Sequence, residues 1–134
     1  SSYTLNGVAG DAALAAWLAL PQVNQGAGLD IQAAWDYIHS LSAGSVGLDP
    51  SCGTGPSGEV YQLPDVWISN TDGTPFSSGP VPAMVSWPYE CGRVVYSVFH
   101  THTGYQQPYE LLLQEKIAFY VMIRLQGCRE EICP

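Results

Sequence analysis

The chain has 134 residues, the usual size of one domain, and 46% of them are hydrophobic, which argues against disorder. Its net charge is −8 with only four basic residues, so it lacks the clustered cations that nucleic acid or an anionic membrane surface requires. No apolar run approaches the ~20 residues of a membrane span. We therefore expect a single α/β domain over residues 1–134.

The N-terminal third predicts one strand and two helices. Residues 3–8 alternate weakly between apolar and polar side chains and predict a strand. Asp11 can cap an Ala- and Leu-rich helix that runs through Leu18. Asp30 can cap a second helix, although residues 35–38 would also suit a strand. The apolar residues that recur there at helical spacing are Ile31, Ala34, Trp35, Ile38 and Leu41.

The middle of the chain predicts loops around short strands. Residues 42–58 are rich in Gly, Ser and Pro and predict a loop. The apolar segment 59–69 contains Pro64, which predicts two short strands or one edge strand. Residues 70–73 (NTDG) predict a turn.

The C-terminal part predicts a hairpin followed by a long helix. Residues 81–87 and 93–99 form its two strands, joined by a five-residue loop. Both faces of the second strand are apolar, so we expect a central strand that is covered on both sides. Residues 109–125 predict the longest helix, with a polar side marked by Glu110, Gln114, Glu115 and Lys116.

Residues 94–100 (VVYSVFH) form an apolar strand that ends in Phe-His and precedes a loop and a long helix. This arrangement resembles the last core strand and last helix of the class I glutamine amidotransferase-like fold. Residues 87–93 (WPYECGR) and 114–116 (QEK) resemble segments of uncharacterised, often secreted, relatives of that fold. The resemblance covers residues 81–128. It implies a partial, mostly parallel sheet with a C-terminal hairpin and flanking helices, stabilised by disulfides.

The resemblance also implies an incomplete catalytic triad. In the enzymes of the family the strand ends Phe-His-Pro-x-Glu, and the His and Glu join a cysteine nucleophile. His100 matches the His, Thr101 replaces the Pro, and His102 lies near the place of the Glu. None of the cysteines lies on a Gly-x-Cys-x-Gly turn of the kind that presents a nucleophile. We therefore expect no glutaminase activity and no catalytic residue of this family.

His100 and His102 still form the sharpest cluster of potential ligands. A His-x-His pair can chelate zinc or copper, with Glu110 as a third ligand or as a partner in hydrolysis. The alternative, which we favour, is a polar loop whose imidazoles bond to backbone or carboxylate groups. No metal or other cofactor is predicted.

Aromatic residues suggest a second kind of site. Four Trp and eight Tyr in a charge-poor chain suit a platform on which sugars stack, so a glycan is a possible ligand. The alternative, which we favour, is core packing with the polar tips hydrogen-bonded. The tryptophans are Trp17, Trp35, Trp67 and Trp87.

Four cysteines, few lysines and Gly/Ser/Pro-rich loops are typical of an oxidising compartment, so we predict a secreted, extracellular or periplasmic protein. The absence of a Cys-x-x-Cys pair favours disulfides over a zinc site. The last helix should run back towards the hairpin turn, which favours pairing Cys91 with Cys128. Cys52 would then pair with Cys133.

These observations favour a non-enzymatic extracellular structural or interaction module. A partial sheet leaves unpaired edges, and a single lysine offers little protection of them. We therefore expect a homo-oligomer or an assembly with another extracellular protein, the alternative being a monomer whose loops cover the edges. The alternative functions are a metal-dependent or hydrolytic enzyme and a carbohydrate-binding module.

Overall fold

The computed structural model describes residues 3–24, 28–48, 59–71, 79–89, 92–101 and 111–125. Their elements, in chain order, are β1 (Tyr3–Ala9), α1 (Ala12–Leu18), β2 (Leu29–Ala34), β3 (Gly44–Leu48), β4 (Glu59–Gln62), β5 (Asp65–Asn70), β6 (Val81–Tyr89), β7 (Gly92–Ser97) and α2 (Leu113–Arg124). Neither of these two helices is long and apolar enough to cross a membrane.

The main sheet has five strands in the order β2-β1-β5-β6-β7, and every neighbouring pair is antiparallel. β3 and β4 form a separate antiparallel pair. The predicted mostly parallel, amidotransferase-like sheet is therefore wrong. The C-terminal hairpin was part of that prediction, but the other neighbouring pairs, β1–β2, β1–β5 and β5–β6, are antiparallel as well.

The five-stranded sheet curls into a half-barrel. The last residue of β2, Ala34, forms an antiparallel bridge with Phe99, which lies two residues beyond the end of β7. The Trp35 N–H donates to the Val98 carbonyl at 2.9 Å, which extends this junction. Register shifts interrupt the β1–β2 and β5–β6 ladders, and such bulges increase local twist. The two edges of the sheet are thus joined at one corner.

The core fills the concave side of the half-barrel. β1 alternates, with Leu5 and Gly7 buried and their neighbours exposed, as a strand covered on one face requires. Both helices contribute apolar side chains to it. The largest apolar residues of the core are Leu5, Leu14, Leu18, Ile31, Trp67, Ile68, Met84, Phe99 and Ile117.

Several predicted elements are confirmed. The first strand and α1 form as expected, and the Asp11 Oδ1 atom accepts a hydrogen bond from the Leu14 N–H at 2.8 Å as the cap of α1. Pro64 separates two short strands, β4 and β5. The hairpin is present with a shorter turn, and α2 occupies residues 113–124 of the predicted 109–125.

Two predictions about elements are wrong. The second helix is replaced by β2, because residues 29–34 pair with β1 and bury Ile31 against the core. β7 is the outermost strand of the sheet rather than a central one. Its Val95 and Tyr96 are 37% and 46% exposed, so its apolar faces are not both covered.

Candidate functional site

His100 lies one residue beyond the bridge that joins the sheet edges, and its imidazole is exposed. Its ring stacks on Trp35 with the centroids 5.4 Å apart and an interplanar angle of 23°. His102 and Glu110, the other two residues of the predicted ligand cluster, lie outside the described residues. Within the described ranges no three His, Cys, Asp or Glu side chains are grouped as a metal site.

The predicted cysteine pairs also lie outside the described residues, since none of these ranges contains a cysteine. Cys52, Cys91, Cys128 and Cys133 therefore remain as predicted from the sequence.

The four tryptophans have separate environments. Trp67 is buried, and its Nε1–H donates to the Ser86 hydroxyl at 2.8 Å. Trp17 packs against Tyr120 with ring centroids 4.8 Å apart. Trp35 is 54% exposed beside His100, and Trp87 lines a cleft on the outside of β6. The sequence grouped these residues as one platform, but each belongs to a different part of the fold.

Tyr3 connects β1 to the segment after β2. Its hydroxyl donates to the Asp36 carbonyl oxygen at 2.7 Å. Burial raises the pKa of the Tyr3 phenol above its ordinary value, and the negative charge of Asp36 raises it further. Tyr3 thus links β1 to the segment after β2 through the hydrogen bond that its phenol donates.

A polar cleft of 390 Å³ lies near the start of α1 and the end of α2. Arg93 on β7 reaches across β6 to Asp65 on β5, with 2.8 Å between Arg93 Nη1 and Asp65 Oδ2. Arg124 and Asp11 also line the cleft, so it holds two positive and two negative side chains, whose charges cancel. The described lining residues include neither a histidine nor a cysteine, so they supply no activated nucleophile of the Cys-His type.

The strongest surface feature is the outer face of α2. The inner face buries Gln114, Ile117 and Val121. The outer face carries three large apolar side chains at helical i, i+3, i+4 spacing, each more than half exposed. These side chains, called the α2 apolar face below, are Phe119 at 57%, Met122 at 55% and Ile123 at 51%.

The orientation of α2 is fixed by polar contacts at its N-terminal half. Gln114 Nε2 donates to the Gln32 carbonyl of β2 at 3.3 Å, and Lys116 Nζ donates to the Val23 carbonyl at 2.8 Å. Glu115 accepts from the Leu112 N–H at 2.8 Å and caps the helix. The helix therefore presents its apolar face to solvent in one orientation.

Sequence reasoning did not single out the α2 apolar face. It assigned Gln114 to the polar side of the helix, although this side chain is buried. A usable signal was present, because residues 117–123 (IAFYVMI) are apolar on all sides of a helix. A helix with that pattern is normally buried all round, so a helix at the surface must leave one apolar side uncovered.

Comparisons with known proteins complete the description of the chain. No model of a known protein family matches it, and neither the search of curated proteins nor the search of solved structures finds a significant match. The function proposed below therefore rests on the geometry of the described residues.

Proposed function

We propose that this chain is a non-enzymatic, extracellular interaction module that binds a second copy of itself through the α2 apolar face. The observation that carries the proposal is the exposure of Phe119, Met122 and Ile123 together on one side of a fixed helix. Contiguous apolar surface on a soluble domain usually marks an interaction site. Its burial in a complex removes that surface from water.

A second copy suits this surface because α2 is complementary to itself when paired antiparallel. A two-fold axis that crosses α2 midway between Phe119 and Ile123 places Phe119 of one helix against Ile123 of the other and brings the two apolar faces together. The two helix dipoles then also oppose each other favourably.

The charge of the chain favours an apolar contact over an ionic one. Each copy carries a net charge of −8, so two copies repel each other at long range. This repulsion is screened beyond about 8 Å at physiological ionic strength. Added salt should therefore strengthen the dimer moderately, whereas it would weaken a dimer held by surface ion pairs.

Light scattering after size exclusion tests the proposal. We expect a mass twice that of the 14.4 kDa chain at micromolar concentration. The double variant Phe119→Asp/Met122→Asp should give a folded single-chain mass, because both side chains point away from the core. A wild-type mass of one chain at all concentrations, or an unchanged dimer in the folded double variant, would overturn the proposal.

A further inference from the structure

A second cleft, of 280 Å³, opens where the β3–β4 pair lies beside β6. One wall is the half-buried indole of Trp87 on β6, with Pro64 and Leu41 as further apolar groups. Ser40 and Ser42 line it from the extended segment after β2, and Gln62 lines it from the end of β4. An aromatic ring and several neutral polar side chains thus line one open cleft.

The described residues that line this cleft carry no charge. A charged ligand would lose its hydration there without gaining an ionic partner, which is unfavourable. Serine hydroxyls both donate and accept hydrogen bonds, and a glutamine amide does the same through separate atoms. The lining therefore suits a ligand with many neutral hydroxyl groups and one apolar face.

Sugars in the pyranose form have this combination, since their ring C–H groups form an apolar face and their hydroxyls surround it. The ring face can pack on the indole of Trp87 while the hydroxyls bond to Ser40, Ser42 and Gln62. The volume of the cleft is just below roughly 300 Å³, the lower end of the range for ordinary small-molecule sites. That size suits one sugar ring rather than several.

We propose that this cleft binds a single neutral hexopyranose unit, free or at the end of a glycan. The site is separate from the α2 apolar face and does not depend on dimer formation. Of the aromatic residues from which the sequence predicted a sugar-stacking platform, this proposal uses one tryptophan, Trp87.

Gly44 offers a way to close the cleft without disturbing the fold. It lines the cleft at the start of β3, and a Cβ atom built on it meets no atom within 4 Å. Gly79 likewise has open space around a built Cβ but does not line the cleft. Gly44→Phe and Gly79→Phe therefore form a matched pair, in which the same side chain is added to a residue that lines the proposed site and to one that does not.

The test is an NMR titration of the full chain with the methyl glycosides of glucose, galactose, mannose and N-acetylglucosamine, following the indole N–H signals of the four tryptophans. We expect a saturable shift of the Trp87 signal with at least one glycoside. Gly44→Phe should abolish this shift and Gly79→Phe should retain it, while neither changes the dimer mass.

Three results would overturn the proposal. The first is the absence of a saturable Trp87 shift with all four glycosides. The second is retention of binding in a folded Gly44→Phe variant, or equal loss in both glycine variants. The third is saturable binding of methyl glucuronide alone, which would show that the site prefers a charged ligand.

Discussion

Replacing Phe119 by Ala removes the largest side chain of the α2 apolar face without opening the core, because Phe119 is 57% exposed in the single chain. Burying a whole Phe side chain contributes about 1.5–3 kcal/mol. Burying the part that is still exposed should contribute about half of this, or ~0.75–1.5 kcal/mol per copy. A symmetric dimer contains two copies, so the loss is ~1.5–3 kcal/mol, which raises the dimer Kd about 10- to 150-fold.

Sedimentation velocity over a concentration series measures this change directly. The matched control is Leu63→Ala, which removes an apolar side chain that is 59% exposed in the β4–β5 connection, outside α2. Thermal unfolding should show that both variants remain folded. An unchanged Kd in Phe119→Ala, or an equal rise in Leu63→Ala, would refute the assignment of the interface to α2.

Three further predictions concern stability, ionisation and oxidation. Gly10→Ala should lower the free energy of unfolding by about 1–3 kcal/mol, because an added Cβ would overlap the Val66 carbonyl. Chemical denaturation measures this loss, and the control Gly79→Ala should leave the free energy of unfolding almost unchanged, because the space around its Cβ is open. The pKa of Tyr3 is raised in the folded protein above its value of about 10 in the unfolded chain. The stabilising contribution of Tyr3 is therefore fully present below about pH 10, and it is lost as the pH rises through the higher pKa of the folded protein. Unfolding of the wild type and Tyr3→Phe should therefore differ less at strongly alkaline pH than at neutral pH, and a constant difference would contradict this. The intact mass without reductant should be lower by four hydrogens than the mass after reduction, and peptide mapping should identify the cysteine pairs. A fully reduced mass in freshly isolated protein would exclude both disulfides. The predicted pairs are Cys91 with Cys128 and Cys52 with Cys133.

The elements that local signals define were predictable from the sequence. α1 follows from its Asp11 cap, the break between β4 and β5 follows from Pro64, and α2 follows from its length and composition. β2 was not predictable in this way, because Ile31 and Ala34 also fit the spacing of a helix. Pairing with β1 decides the conformation of that segment, and pairing is a non-local property.

The candidate sites depend even more on non-local contacts. His100 was recognised from its place after an apolar strand, but its partner Trp35 comes from a distant part of the chain. The mostly parallel sheet implied by the resemblance was wrong, because β1, β2 and β5 also pair antiparallel with their neighbours, and the predicted hairpin lies at the sheet edge. An apolar pattern alone does not distinguish such an edge strand from a central parallel one.

The strand order also divides the sheet into two locally connected halves. β1 and β2 form one half, and β5, β6 and β7 form the other. Their outer edges touch at the Ala34–Phe99 bridge, and their ladder contact is a seam of three residue pairs between β1 and β5. The Thr71 N–H and hydroxyl support this seam by donating to the Asn6 carbonyl across 65 residues of sequence. Closing so long a loop is entropically costly and slows folding, whereas each half needs shorter closures. We therefore expect the halves to form first and this short seam to form last, so that amide hydrogens along it exchange with solvent before those of the β6–β7 hairpin.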